Sequence, residues 1–178
     1  MTTITGYAAT FDRTDQQQDL VERGAFLASL AARANRLPLL WQHQITEPIG
    51  QVVEVHEDAR GLWFRAEIAA TRRAHDATAL IDSGALSECS IGFLPRRVRF
   101  EERSRNAENR PVRVIEQLDL IEISLVTLAA NPDARLLTID GRPQQFSAAP
   151  PHHQFGTGPP RRSAAHLRRR LEAAVPAP

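Results

Sequence analysis

The chain has 178 residues, a formal net charge of +1 at pH 7 and 42% hydrophobic residues. That length and apolar share suit one ordinary domain with a core, and the near-zero charge argues against a dedicated nucleic-acid binder. The single cysteine excludes an internal disulfide and a Cys-rich zinc site.

All 22 basic residues are arginine, which reads as a coding bias rather than a functional signal. The opening Met1-Thr2-Thr3-Ile4-Thr5 carries no basic n-region and no apolar h-region, so no secretory signal is visible. No apolar run approaches the roughly 20 residues that span a bilayer. A soluble cytoplasmic protein without membrane contact is the expectation.

Residues 3–10 alternate weakly and predict a first strand, followed by a turn at Phe11–Asp15 and the glutamines behind it. Asp19–Gly24 leads into a predicted helix over Ala25–Ala34, with Phe26, Leu27 and Leu30 at helical spacing. Leu37–His43 reads as an apolar strand that delivers a histidine at its end. Pro48–His56 and Leu62–Ile68 predict a pair of strands joined by a turn at Glu57–Gly61.

Thr71 is placed to cap a helix through Arg72–Ser83, whose apolar stripe is Ala74, Ala77, Leu80 and Ile81. Gly84 stands where a left-handed C-terminal residue is expected. The stretch Leu86–Phe93 then alternates as a short strand, with Cys89, Ile91 and Phe93 on one face and Leu86, Glu88, Ser90 and Gly92 on the other. That strand continues into Arg96–Phe100, and a charged loop over 101–110 makes a hairpin with Pro111–Leu118. Asp119–Leu128 predicts a separate buried strand with one carboxylate, Glu122, facing with Leu120, Ser124 and Val126. Short strands, turns and two or three helices suggest a β-barrel or curled antiparallel sheet flanked by helices.

From Gly141 the composition shifts to Pro, Ser, Gln, His and Gly, which predicts a domain over 1–140 and a flexible Pro/Arg-rich tail over 141–178. Within the tail, 161–174 has the pattern of a short basic helix, readable as a solvated segment or as a contact for an acidic partner.

His43, Ser90 and Glu122 each interrupt or close an apolar segment where an aliphatic residue would pack more cheaply. A buried carboxylate must find a partner or neutralise, because desolvation costs several kcal/mol. A neutral imidazole between serine and carboxylate would satisfy all three groups, and that is the arrangement of an acyl-transfer triad. Separate surface residues, with Glu122 paired to one of the arginines, is the competing reading of the same pattern. Other chemistries lack their motifs. Position 88 is Glu, so Ser90 is in no Gly-x-Ser-x-Gly elbow. There is no Walker loop, no Gly-x-Gly-x-x-Gly and no His-Glu-x-x-His, and neither metal nor cofactor is expected.

Taken in order, several segments resemble the prohead (capsid-maturation) serine proteases of tailed phages and phage-derived gene transfer agents. They are Gly6-Tyr7-Ala8 with Phe11-Asp12, Val21–Phe26 with Ser29-Leu30, Leu39–His43 followed by Pro48-Ile49-Gly50, and Arg60-Gly61-Leu62. Leu80-Ile81 with Gly84-Ala85-Leu86, Ser90–Phe93, and Glu122–Val126 with Ala130-Asn131-Pro132 complete the series, across about residues 4–137. Cys89–Gly92 is also similar to the nucleophile strand of the herpesvirus assemblins. The resemblance implies a mainly β fold with helices: a closed antiparallel β-barrel of the herpesvirus-protease type, ringed by helices.

It further implies a serine endopeptidase with His43 as base, Ser90 as nucleophile and Glu122 as third member. Assemblins use a second histidine there, and Asp119 is the fallback. The loop Ala129-Ala130-Asn131 is the candidate oxyanion hole by analogy. The implied partners are the major capsid protein with its scaffolding segment, the tail of the chain itself, and a second copy in a homodimer. The implied place of action is an assembling procapsid in the cytoplasm of a bacterial cell. A non-catalytic assembly factor or scaffold-binding module with the same fold is the rival.

Overall fold

The computed structural model describes residues 2–33, 37–102 and 111–144. All lie in the first of the two units into which the chain divides, Met1–Phe146; the second, Ser147–Pro178, and with it the expected basic helix, lies outside the described residues.

The described part is mainly β. Nine strands, β1 (Thr3–Thr10), β2 (Asp19–Val21), β3 (Leu37–Trp41), β4 (Gln44–Glu57), β5 (Gly61–Ile68), β6 (Glu88–Glu101), β7 (Val112–Val126), β8 (Leu136–Ile139) and β9 (Arg142–Pro143), form one sheet. Two helices accompany it, α1 (Leu27–Arg33) and α2 (Arg72–Asp82). The ladder runs β2-β7-β3-β4-β5-β1-β8-β9, with β6 paired to β7.

Two sequence expectations need correction. The sheet is mixed, because β2 and β3 both pair parallel with β7, while the other ladders are antiparallel. Nor is it a closed barrel. Between β6 and the approach to β8 there is a single isolated bridge, Glu88 with Arg135, and hydrogen bonds Cys89 N–H to Ala134 O and Leu136 N–H to Ser87 O, not a continuous ladder.

β7 organises the sheet. What the sequence suggested were two strands is one of 15 residues, paired with β6 along one edge. Its other edge meets β2 at 113–115 and β3 at 123–125. Between them the segment around α1 supplies acceptors, Ala25 O for Leu118 N–H (3.1 Å) and Ser29 Oγ for Leu120 N–H (2.9 Å). Backbone donors on an internal strand need such partners, and this is why the β2–α1–β3 unit docks where it does. Phe26, Leu39, Phe64, Ile81, Leu86, Leu118 and Leu120 are fully enclosed in the core behind it.

α2 follows its local signals. Thr71 Oγ1 accepts Ala74 N–H (3.2 Å), Ala74, Ala77 and Ile81 are buried, and Gly84 adopts φ +76° just past the last turn. Predicted and observed boundaries differ by one residue, Ser83. The α1 helix is shorter than predicted, beginning at Leu27.

A candidate active site on the β3–β7–β6 face

β3 ends at Trp41, two residues before the histidine. Trp41 pairs with Gln44, so Gln42 and His43 form a two-residue turn, both with positive φ (51° and 59°). Positive φ at both central positions is the signature of a type I′ hairpin, normally supplied by Asn-Gly or Asp-Gly. The Gln-His pair carries no such sequence signal, so Leu37–His43 looked like one strand and the next was expected only from Pro48, whereas β4 begins at Gln44. The conformation costs roughly 1–2 kcal/mol per non-glycine residue, and tertiary contacts must hold it. They do. Gln42 N–H bonds Leu125 O (3.0 Å), its side chain exchanges two bonds with Thr127 (2.7 and 3.3 Å), and His43 N–H bonds Ser124 Oγ (3.1 Å). The parallel β3–β7 pairing, Leu40 with Ser124 and Trp41 with Leu125, puts the turn within reach of all four.

Ser90 lies on β6 directly opposite Ser124, and Gly92 directly opposite Glu122. Cys89 is fully buried, and Ile91 and Phe93 pack against the core on the other face, as the alternation predicts. Two expected facings are wrong: Leu86, which precedes β6, is enclosed in the core rather than on the Ser90 face, and Leu120 is turned inward. The ladder slips between Gly92 and Phe93, which pairs with Leu120, so Leu120 joins the core instead of sharing the Glu122 face. A β-bulge changes the phase of the alternation, and no periodicity count sees it.

His43 and Glu122, 79 positions apart in sequence, are in direct contact through Nδ1 and Oε1 at 2.7 Å. Glu122 is buried at 4% side-chain exposure, and His43 lies over it at 43%. The competing reading, an arginine partner for Glu122, is not what the fold provides: the other carboxylate oxygen, Oε2, accepts from Ser124 Oγ at 2.6 Å. Asp119 instead bonds Arg96 (2.7 Å) at the surface, away from the imidazole. Nδ1 is engaged, which leaves Nε2 to exchange a proton. Among the described residues no hydrogen bond joins Ser90 to His43. Nucleophile–base bonds are often long without substrate and tighten when it binds.

Ser124, fully buried, is the residue sequence reasoning passed over, although a serine two positions beyond a buried glutamate on the same strand face was a usable signal. In the 129–131 loop, Ala129 N–H is committed to Glu88 Oε2 (2.5 Å), Ala130 O accepts Gln16 N–H (3.0 Å), and Asn131 is bound to Thr10. No bond among the described residues engages the main-chain N–H of Ala130 or Asn131. No group of His, Cys, Asp and Glu among the described residues is arranged to hold a metal ion, and no helix there is long and apolar enough to cross a membrane.

A hydroxyl on β6, an imidazole in the β3–β4 turn and a buried carboxylate on β7 are the residue types of acyl-transfer hydrolases. The chain belongs to the Caudovirus prohead serine proteases, whose family profile matches residues 1–147. It is 29% identical over 141 residues to the prohead protease of Enterobacteria phage HK97, covering 76% of this chain and 60% of that protein. It is 29% identical over 153 residues to a capsid polyprotein of Pseudomonas phage PAJU2, covering 82% of this chain and 21% of that one. The chain thus spans about 60% of the length of the HK97 relative and a fifth of the polyprotein. Among solved structures it is similar to the KSHV protease in complex with a hexapeptide phosphonate inhibitor, at TM-score 0.49 and 14% identity over 76% of this chain and 63% of that one.

Proposed function

We propose that this protein is a serine endopeptidase of capsid maturation, with Ser90 as nucleophile, His43 as general base and Glu122 as the group that orients the imidazole. The observation that carries the reading is the His43 Nδ1–Glu122 Oε1 bond of 2.7 Å, with Glu122 paired to Gly92, two residues beyond Ser90 on β6. His43 Nε2 takes the Ser90 proton as Oγ bonds to the peptide carbonyl carbon, and the carbonyl π electrons move onto oxygen. The Ala130 and Asn131 amides are the proposed donors to that oxyanion. Collapse expels the amine, which leaves with the proton from His43. Water then releases the acyl group from Ser90 by the same steps in reverse roles.

The proposed substrates are the scaffold or the scaffolding segment of the major capsid protein, with the chain's own tail as a further target, inside the assembling procapsid. The match to a capsid polyprotein of Pseudomonas phage PAJU2 supports a link between such a domain and capsid protein.

Co-expression with the capsid protein from the same source tests this, with Ser90→Ala beside the wild type. Loss of a triad nucleophile costs about a millionfold in kcat, so processing should vanish in the variant. A serine-directed acylating probe should mark Ser90 in the wild type. Equal processing by both versions would leave the non-catalytic assembly factor as the better reading.

A further inference from the structure

Ser124 sits at the closure of a ring of three hydrogen bonds, in two of which the donor is fixed by the groups themselves. The His43 main-chain N–H can only donate, so Ser124 Oγ accepts it (3.1 Å). The single Ser124 proton is then directed to Glu122 Oε2 (2.6 Å). With Glu122 as a carboxylate, Oε1 can only accept, so the 2.7 Å contact to His43 is made by Nδ1–H. In the neutral imidazole the lone pair then resides on Nε2.

We propose that Ser124 is a positioning residue: by accepting from the His43 backbone and donating to Glu122, it fixes the imidazole in its Nδ1–H tautomer and holds the strained turn that carries it. This rests on the reading of His43 and Glu122 as base and orienter. Ser124 is fully buried, and Glu122 nearly so, at 3%. Removing the hydroxyl therefore strips Oε2 of its donor and the His43 amide of its acceptor at once, where solvent has little access. A fully buried serine in an apolar strand is otherwise poorly explained, since alanine would fill the place without a polar group to satisfy.

The test compares wild type, Ser124→Ala and Ser124→Thr as full chains, with His43→Gln to assign the signal. Two quantities are read: 15N chemical shifts of the His43 ring, which distinguish the tautomers, and kcat and KM on a peptide from the capsid protein. In Ser124→Ala the Nδ1–H tautomer should give way to a mixture, and kcat should fall about 10- to 100-fold with KM within about twofold. Ser124→Thr, which keeps the hydroxyl, should restore the tautomer and most of kcat. A folded Ser124→Ala with unchanged tautomer and kcat overturns the proposal, as does a folded Ser124→Thr that loses both. Should Ser124→Ala not fold, the threonine variant decides. A Ser124-dependent tautomer in a protein without Ser90-dependent cleavage would sink the protease reading and leave the positioning role standing. Ser90-dependent cleavage indifferent to Ser124 would do the opposite.

Discussion

Gly92 lies opposite Glu122 in the β6–β7 ladder, and the Glu122 side chain occupies the space that a Cβ on residue 92 would need. Such a Cβ would overlap Oε1 and stand 2.9 Å from Cγ. The glutamate thus leans across its neighbouring strand to meet His43, and the absent side chain makes room. The obstacle is a movable carboxylate rather than backbone, so Gly92→Ala should fold and displace Glu122 from the imidazole. Expected is a melting temperature within a few degrees of wild type with cleavage down about 10²- to 10⁴-fold, the range of losing an orienting carboxylate. Activity near wild type in that variant would mean Glu122 does not act through His43.

The two carboxylates of β7 should separate cleanly. Glu122→Gln keeps the shape and removes the carboxylate proposed to support a protonated His43, and a loss of up to about 10⁴-fold in kcat is expected. Asp119→Asn removes only a surface pair with Arg96, of which the Asp119 side chain is a third exposed. Such pairs contribute about 0–1 kcal/mol, so cleavage should be unchanged. Parallel kinetics on the two variants check this, and equal losses would reopen the choice of Asp119.

Cys89 stands one residue from the proposed nucleophile yet is fully buried, and burial, reinforced by the Glu88 charge, pushes its thiol well above the ordinary range. A thiol that stays protonated and enclosed is inert. Maleimide should leave the native protein unlabelled and modify one site after denaturation, as intact mass would show. Native labelling would contradict the facing of β6.

Asp15 gives the stability a pH dependence. Loss of hydration, with the nearby Asp19 charge adding to it, raises its carboxyl from 3.8 to about 6, against the pull of backbone bonds from Asp19 and Gln17 and the Arg113 charge. A raised acid binds its proton more tightly folded than unfolded. Ionised Asp15 therefore costs stability above about pH 6, and the cost disappears as pH falls through that value toward 3.8. Two units correspond to at most about 3 kcal/mol, reduced here because the residue is only half-buried. Asp15→Asn should be the more stable protein at about pH 8 and converge with wild type below about pH 4, in denaturant titrations across that range. A gap independent of pH would refute the assignment.

Much of the chain was legible before folding. Local signals fixed β1 over Thr3–Thr10, the Thr71 cap and Gly84 stop of α2, and the inward facing of Cys89, because these depend on neighbours within one turn or one pleat. The out-of-place His43, Ser90 and Glu122 were visible as interruptions of apolar runs, since burying polar groups is costly wherever it occurs. What only the tertiary structure decided is long-range. The parallel docking of β3 on β7 turns a Gln-His dipeptide with no turn signal into a type I′ hairpin and sets the imidazole on Glu122. The slip at Gly92/Phe93 rotates Leu120 into the core, and the mixed, unclosed sheet replaces the antiparallel barrel. Pairing energy between segments tens of residues apart outweighs local preference at each of these points, and no window of sequence contains both partners. His43, Ser90 and Glu122 stand out in the sequence as polar residues in apolar segments; that Ser124 bonds both the His43 amide and the Glu122 carboxylate was decided by the docking of β3 on β7.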